Sequence, residues 1–472
     1  MTDVTKTRIS GDTEFTLMPV PISDRRATWK QILVWIGFGY VVTGLFVGGV
    51  LAGFGGQPGV SYHDALWSIA LGMGALFILT SLLGVASQRT GFNLALLSRY
   101  SYGARGANIV MLVMALLTLG WFSSITGMVG QIWGSFLGNV SGITVFDPAA
   151  IGRSGFPAVT LEEFLSCVVF GIIFTYTAAL GIKGLELIAI PVAPAILIIA
   201  LWVGGGMLAE GGGYDVFVGK ANQLGGLGMG TAITAVVGSW IAGAIMGCDL
   251  FRFNRNIPAV FLCAAACFII TNPLLNIIGY MGSISVGQFN YVAWMLKQGL
   301  GLAILGVIAW TLSLWTTNDG ELYCNALYTR PFLHSYGLSV TKNKLVFGAG
   351  ILGTILGALG FYQLFFNTFI TVLGTVAPPL AGPIIADYFI VRKKYVVANY
   401  NRQPLYRSAG IASFLAAAVL ALILQYAIII PNLPSGLLSL VVAIALYPVL
   451  YSITADSAAD RELGQAPVRA SR

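Results

Sequence analysis

The sequence predicts an all-α integral membrane fold of twelve transmembrane helices, arranged as two inverted five-helix repeats followed by two further helices. Three observations carry this reading: a composition too apolar for water, a division into twelve hydrophobic runs, and helix-breaking residues that recur five helices apart. Hydrophobic residues make up 57% and charged residues 9% of 472 positions, against roughly 45–50% and about 25% in soluble domains. So few charges cannot cover a water-soluble surface. The 59 glycines and 10 tryptophans fit the same class, because spanning helices are rich in glycine and their ends in indoles. No polar stretch is long enough for a soluble domain, so the membrane part is nearly the whole chain.

The apolar runs are 31–54, 65–87, 107–138, 164–182, 185–208, 229–248, 258–283, 298–318, 345–361, 363–391, 408–430 and 435–454, taken as helices 1 to 12. Each is near or above the 17–25 residues needed to cross about 30 Å of hydrocarbon. Helices 1–5 occupy 31–208, helices 6–10 occupy 229–391 and helices 11–12 occupy 408–454, with tails at 1–30 and 455–472. Of 25 Lys and Arg, all but Arg153, Lys220 and Lys297 fall in alternate loops and in the two tails. The positive-inside rule then puts both termini in the cytoplasm of a multi-pass cell-membrane protein. The net charge of +7 is a topology signal and calls for no nucleic acid. Residues 1–30 hold basic residues but no apolar core, so no cleavable signal peptide is expected and helix 1 directs insertion.

Helix 1 carries Gly37, Gly39, Gly44, Gly48 and Gly49, and helix 6 carries Gly238, Gly243 and Gly247 around Ser239 and Trp240. Glycine at this density lets a helix bend or unwind. Helix 5 has Pro191 and Pro194, and helix 10 has Pro378, Pro379 and Pro383, each removing an intrahelical hydrogen bond. Interrupted helices at depth are tolerated against protein or a water-filled cavity. Glycine marks on helices 1 and 6 and proline marks on helices 5 and 10 share one offset of five helices. An inverted repeat has that offset and binds substrate and ions where two discontinuous helices end near the midplane. Close packing through small residues also places glycines in helices, but does not require the shared offset.

The run Trp315-Thr316-Thr317-Asn318-Asp319-Gly320-Glu321 follows the apolar part of helix 8 and is the densest polar cluster near the interior. Hydroxyls beside backbone carbonyls are hard oxygen donors that suit a small alkali cation such as sodium. The same threonines could instead bond back to their own helix. Asp319 and Glu321 are costly in lipid and are expected to face the interior or the cytoplasmic mouth, either as a proton relay or in a helix-end bridge to Arg330. Asp249 with Arg252 and Arg255, and Asp387 with Arg392 to Lys394, read as cytoplasmic helix-end anchors. Trp121 lies mid-helix 3 and Trp240 beside the break in helix 6; a ligand held between two indoles must be flat, and each stacked base is worth about 1–3 kcal/mol.

Cys167, Cys248, Cys263, Cys267 and Cys324 lie in or beside apolar runs without disulfide or zinc spacing. His63 and His334 have no triad or metal partner nearby. No Walker lysine, dinucleotide glycine pattern, nucleophile elbow or zinc-protease motif stands in a fitting context, which argues against an ATP-driven pump or a membrane enzyme and for no cofactor. A channel or facilitator would need a continuous polar pore lining rather than one polar cluster.

Pro19-Val20-Pro21, Gly48-Gly49, Ser61-Tyr62-His63-Asp64, Gly120-Trp121-Phe122, Gly238-Ser239, Arg252-Phe253, Trp315-Thr316-Thr317-Asn318-Asp319, Leu322-Tyr323, Ala377-Pro378-Pro379 and Ile385-Ala386-Asp387-Tyr388 together resemble the purine/cytosine permease branch of nucleobase:cation symporter family 1. The resemblance runs from about residue 19 to 395. It implies a LeuT-like fold working by alternating access, with cation-coupled symport of a nucleobase or related planar ring. It places the ring between Trp121 and Trp240, with Ser239, Ala242 and Ser313 near its edge. It places the coupling ion, sodium or else a proton, on the carbonyls of Gly37, Tyr40 and Ser313 and the hydroxyls of Thr316 and Thr317. The cytosine carriers of that branch have phenylalanine at Trp240, serine at Ala242 and asparagine at Ser313, so a pyrimidine derivative, a purine, or a related ring such as allantoin or hydantoin stays open as the substrate. Glu321 has no counterpart in the resemblance.

Overall fold

The computed structural model describes residues 15–53, 58–152, 158–428, 430, 432–454 and 456. Among the described residues ten helices are long and apolar enough to cross a membrane, and an eleventh span is the pair Thr28–Gly39 and Gly44–Leu51, bent by 46°. The twelfth, helix 9 at Lys342–Ala358, has 17 residues, about 25 Å at 1.5 Å per residue and close to the lower limit for a crossing. The protein is therefore a multi-pass membrane protein with the expected helix order.

Helix 1 consists of Thr28–Gly39 and Val42–Leu51. Helices 2 to 5 are Tyr62–Thr90, Asn108–Leu137, Leu161–Ala179 and Ile182–Glu210. Helix 6 is again two pieces, Met229–Gly238 and Ile241–Phe251. Helix 7 runs over Ile257–Val286 through a π turn at Ala266–Thr271, where Pro273 has no N–H to continue the regular ladder. Helix 8 is Leu300–Ser335, helix 10 is Phe361–Val376 joined to Pro378–Ala386, and helices 11 and 12 begin at Ser408 and Ser435. Helix starts are capped where the sequence supplies a short polar side chain: Ser61 accepts from Asp64 N, and Thr160 from Glu163 N, each at 3.2 Å.

Three expectations need correction. Helix 8 does not stop near residue 318 but continues through 36 residues to Ser335, because a helix buried among neighbours can carry polar residues that a lipid-facing helix cannot. Helix 5 is not interrupted; Pro191 and Pro194 both lie inside the continuous Ile182–Glu210 helix, whereas the prolines of helix 10 do divide it near Ala377. The loop after helix 2 contains a helix, Leu94–Tyr102, buried except at Arg99, that hydropathy did not separate from its surroundings.

Close approaches at glycine repeat with the five-helix offset. A Cβ on Gly37 of helix 1 would meet Ala189 of helix 5 at 3.0 Å, and one on Gly238 of helix 6 would meet the Ile370 carbonyl of helix 10 at 2.9 Å. Gly48 of helix 1 lies on the backbone of Asn276 and Tyr280 in helix 7, while Gly72 of helix 2 lies 2.6 Å, by the same measure, from Val236 of helix 6. Helices 1 and 6 thus play equivalent parts, each seated against two neighbours where a side chain would not fit.

Candidate functional site

The helix 1 break falls at Tyr40 (φ −82°, ψ 84°) and Val41 (φ −132°, ψ 146°). The helix 6 break falls at Trp240 (φ −136°, ψ 5°), just after Ser239. Breaking a helix frees the carbonyls of the preceding turn, and two of these are taken up by helix 8. Thr316 Oγ1 donates to the Gly37 carbonyl at 2.7 Å, and Thr317 Oγ1 donates to the Phe38 carbonyl at 3.1 Å. Thr316 Oγ1 also lies 2.7 Å from the Ser313 carbonyl. A hydroxyl has one hydrogen, so it cannot fully serve both carbonyls. The Gly37 carbonyl also accepts from Tyr40 N at 3.3 Å, so what the cluster offers a hard cation is the lone pairs of closely set hydroxyl and carbonyl oxygens.

On the other side of Thr317 lies a cavity of about 10 Å³ lined by Val41, Trp121, Ile125, Ser239, Trp240, Gly243, Thr317 and Glu321. That is room for about one water molecule, so a ring can enter only after these walls separate. Both indoles are buried and face inward rather than to lipid. Trp121 meets Phe369 edge-to-face at 5.4 Å, and Trp240 meets Phe38 and Phe268 edge-to-face at 5.1 and 5.8 Å. Ser239 donates its hydroxyl to the Val236 carbonyl at 2.7 Å, leaving only acceptor lone pairs for any other group.

Of the anticipated residues, Trp121, Ser239, Trp240 and Thr317 meet at this cavity, and Gly37, Ser313 and Thr316 meet at the oxygen cluster. Ala242 and Ser313 are buried but are not among the residues lining the cavity. Ala242 is two residues past Trp240, about 200° around the helix, and the Ser313 hydroxyl turns back to the Trp310 carbonyl at 2.8 Å. Tyr40 sits at the break with its hydroxyl 2.8 Å from that of Tyr291.

Asp319 and Glu321 are mid-helix and buried, not at a helix end. Asp319 Oδ1 accepts from Thr177 Oγ1 at 2.7 Å, and Thr177 in turn accepts from Trp315 Nε1 at 2.8 Å. Arg330, the partner considered for these acids, instead donates to Thr16 Oγ1 at 2.6 Å. The acids near the ends of helices 6 and 10 are each held by several donors. Asp249 accepts from Tyr328 Oη at 2.5 Å and Leu94 N at 3.1 Å, and Arg252 reaches Tyr323 Oη at 3.1 Å. Asp387 accepts from Arg392, from Tyr395 Oη at 2.8 Å and from Tyr447 Oη at 2.7 Å.

The profile of the family described as permeases for cytosine/purines, uracil, thiamine and allantoin matches residues 19–453. The chain belongs to this permease family. Its relatives include the cytosine permease of Escherichia coli K12, 30% identical over 399 residues that span 82% of this chain and 84% of the relative. The hydantoin permease of Microbacterium maritypicum is 27% identical, over 78% and 75% of the two chains. Among solved structures, Mhp1, a nucleobase-cation-symport-1 family transporter in a closed conformation with bromovinylhydantoin bound, superposes with a TM-score of 0.76 at 21% identity, covering 93% of the permease and 95% of that chain. A Na+-coupled sialic acid symporter superposes with a TM-score of 0.64 at 11% identity, covering 92% and 91%. These likenesses give the permease the inverted-repeat transporter fold.

Four wall positions were not anticipated as site residues, Val41, Ile125, Gly243 and Glu321, nor was Phe38, whose carbonyl joins the oxygen cluster. Ile125 was within reach, being one turn beyond Trp121 on the same face of helix 3. Gly243 packs directly under the Trp240 ring, a relation visible only once the break fixes where the indole lies.

Proposed function

We propose that the permease, a cation-coupled symporter of nucleobase-type rings, stacks its substrate between Trp121 and Trp240 and binds sodium at the Gly37, Phe38, Ser313, Thr316 and Thr317 oxygens. The observation that carries this reading is the shared wall: Thr317 lines the indole cavity and also donates to the Phe38 carbonyl at the helix 1 break. A cation drawing the helix 8 hydroxyls and helix 1 carbonyls together fixes the position of the break, and with it one side of the ring site. By linkage, the ring then raises the affinity for the cation by the same factor. Release inside follows when the two repeats rock around the fixed site. The termini lie in the cytoplasm, on the side that holds most of the Lys and Arg.

The experiment is uptake of radiolabelled nucleobases and hydantoins into proteoliposomes with an imposed sodium gradient at constant pH. Uptake that collapses when the sodium gradient is removed supports the assignment. A proton is the second reading, favoured by Asp319, whose Oδ2 is buried with no hydrogen-bond partner; uptake that follows a pH gradient and ignores sodium selects it.

A further inference from the structure

Glu321 is the one acidic side chain among the residues lining the indole cavity. It lies on helix 8 one turn beyond Thr317, so the two share a face. The residue is 4% exposed, and its Oε2 is buried without a hydrogen-bond partner. Among the described residues no Lys, Arg or His forms an ion pair with it. Asp319, two positions earlier, is held by Thr177; Asp249 and Asp387 each have several donors. A carboxylate buried with neither charge partner nor donor is expensive, and this one borders the space the ring must occupy. The Trp240 Nε1–H on the opposite wall is likewise buried and unpaired.

Resting on the stacking reading above, we propose that Glu321 sets substrate choice by accepting two adjacent N–H donors from the ring edge. The chemical class is a planar heterocycle with a carbonyl, a ring N–H and an exocyclic amine in sequence, the edge found in isocytosine and guanine. The two carboxylate oxygens match two parallel N–H groups, as they match the fork of a guanidinium. Cytosine fits poorly, because its amine neighbours a ring nitrogen that accepts, and two acceptors facing one another repel.

Matched pairs test this without any mutation. Isothermal titration of the purified full-length permease, at fixed sodium and pH, would compare isocytosine with 4-pyrimidinone and guanine with hypoxanthine, members that differ only by the exocyclic amine, with cytosine alongside. The amino member should bind roughly ten- to a hundredfold more tightly, the worth of a hydrogen bond to a charged group. Glu321→Gln, which replaces one acceptor oxygen by an NH2 donor, should reduce that preference to about twofold or less. Equal affinity within each pair, tighter binding of cytosine than of isocytosine, or an unchanged ranking in Glu321→Gln overturns the proposal, the last showing a carboxyl already neutralised by a proton. If rings bind without amine preference, only this proposal falls; if none of a wider set of nucleobases and hydantoins binds, the stacking site falls with it.

Discussion

Thr316 and Gly37 lie 279 positions apart, yet the threonine hydroxyl sits 2.7 Å from the glycine carbonyl. Gly37 fixes where this turn lies: a Cβ there would press on Ala189 of helix 5 at 3.0 Å, while Thr316 Cβ at 3.6 Å would be an ordinary contact. Helix 8 is docked on the last turn of helix 1 before the break, through its bonds to the Gly37 and Phe38 carbonyls. The opening of helix 1 and the clustering of oxygens are a single structural event.

Thr317→Ala should raise the sodium concentration for half-maximal stimulation of ring binding by about tenfold, the worth of one oxygen contact to a cation. Ring binding in the absence of sodium should fall far less. Thr317→Ser keeps the hydroxyl and should restore sodium dependence. Isothermal titration of a bound ring across a sodium series gives both quantities, and equal losses in the two regimes would mark the threonine as a purely structural element.

Trp121→Ala should weaken ring binding by roughly five- to a hundredfold, corresponding to about 1–3 kcal/mol for one stacking face. Trp121 also touches Phe369, so retention of a monodisperse peak in gel filtration is the control. Trp121→Phe, which keeps a smaller aromatic face, should lie between wild type and alanine. Unchanged affinity in the alanine variant would remove the indole from the site.

Much of this was legible in the sequence because the membrane enforces it. Twelve apolar runs and one-sided basic loops follow from the thickness and asymmetry of a bilayer, and the glycines of helices 1 and 6 mark the breaks. Pro191 and Pro194 misled because proline is tolerated in a spanning helix whose neighbours satisfy the freed backbone, and the helix runs on through both. The end of helix 8 was misplaced because hydropathy reads Asn318, Asp319 and Glu321 as an exit to water, whereas Asn318 donates to Thr126 Oγ1 at 2.9 Å and Asn325 to the Ala115 carbonyl at 2.7 Å, both in helix 3. A single sequence records which residues are polar, not which neighbours answer them. Phe38 and Gly243 were illegible for the same reason.

Gly48→Val should destabilise the protein by more than the about 1–3 kcal/mol typical of overpacking a core. The added side chain meets the Asn276 carbonyl and the Tyr280 amide of helix 7 rather than a side chain that can turn aside. Gly74→Ala, with nothing within 4 Å of its new Cβ, is the matched control and should be neutral or slightly stabilising, since alanine favours a helix by about 1 kcal/mol over glycine. Thermal unfolding in detergent separates them. A similar midpoint for both variants would mean that helices 1 and 7 do not pack through Gly48.

The last prediction concerns the inner end of helix 10, where Arg392 and Asp387 form a buried ion pair. Asp387 also receives the Tyr395 and Tyr447 hydroxyls, so removing the arginine leaves a carboxylate with two neutral donors and only Arg407 nearby as counter-charge. Arg392→Met should cost about 3–5 kcal/mol, the usual penalty for orphaning one member of such a pair. Arg392→Met combined with Asp387→Leu should cost less than the single change, because replacing both charges by apolar groups removes the uncompensated carboxylate as well as the attraction. Thermal unfolding of the two variants tests this ordering. A double variant less stable than the single one would show that Asp387 is held mainly by its tyrosines, with Arg392 a minor partner.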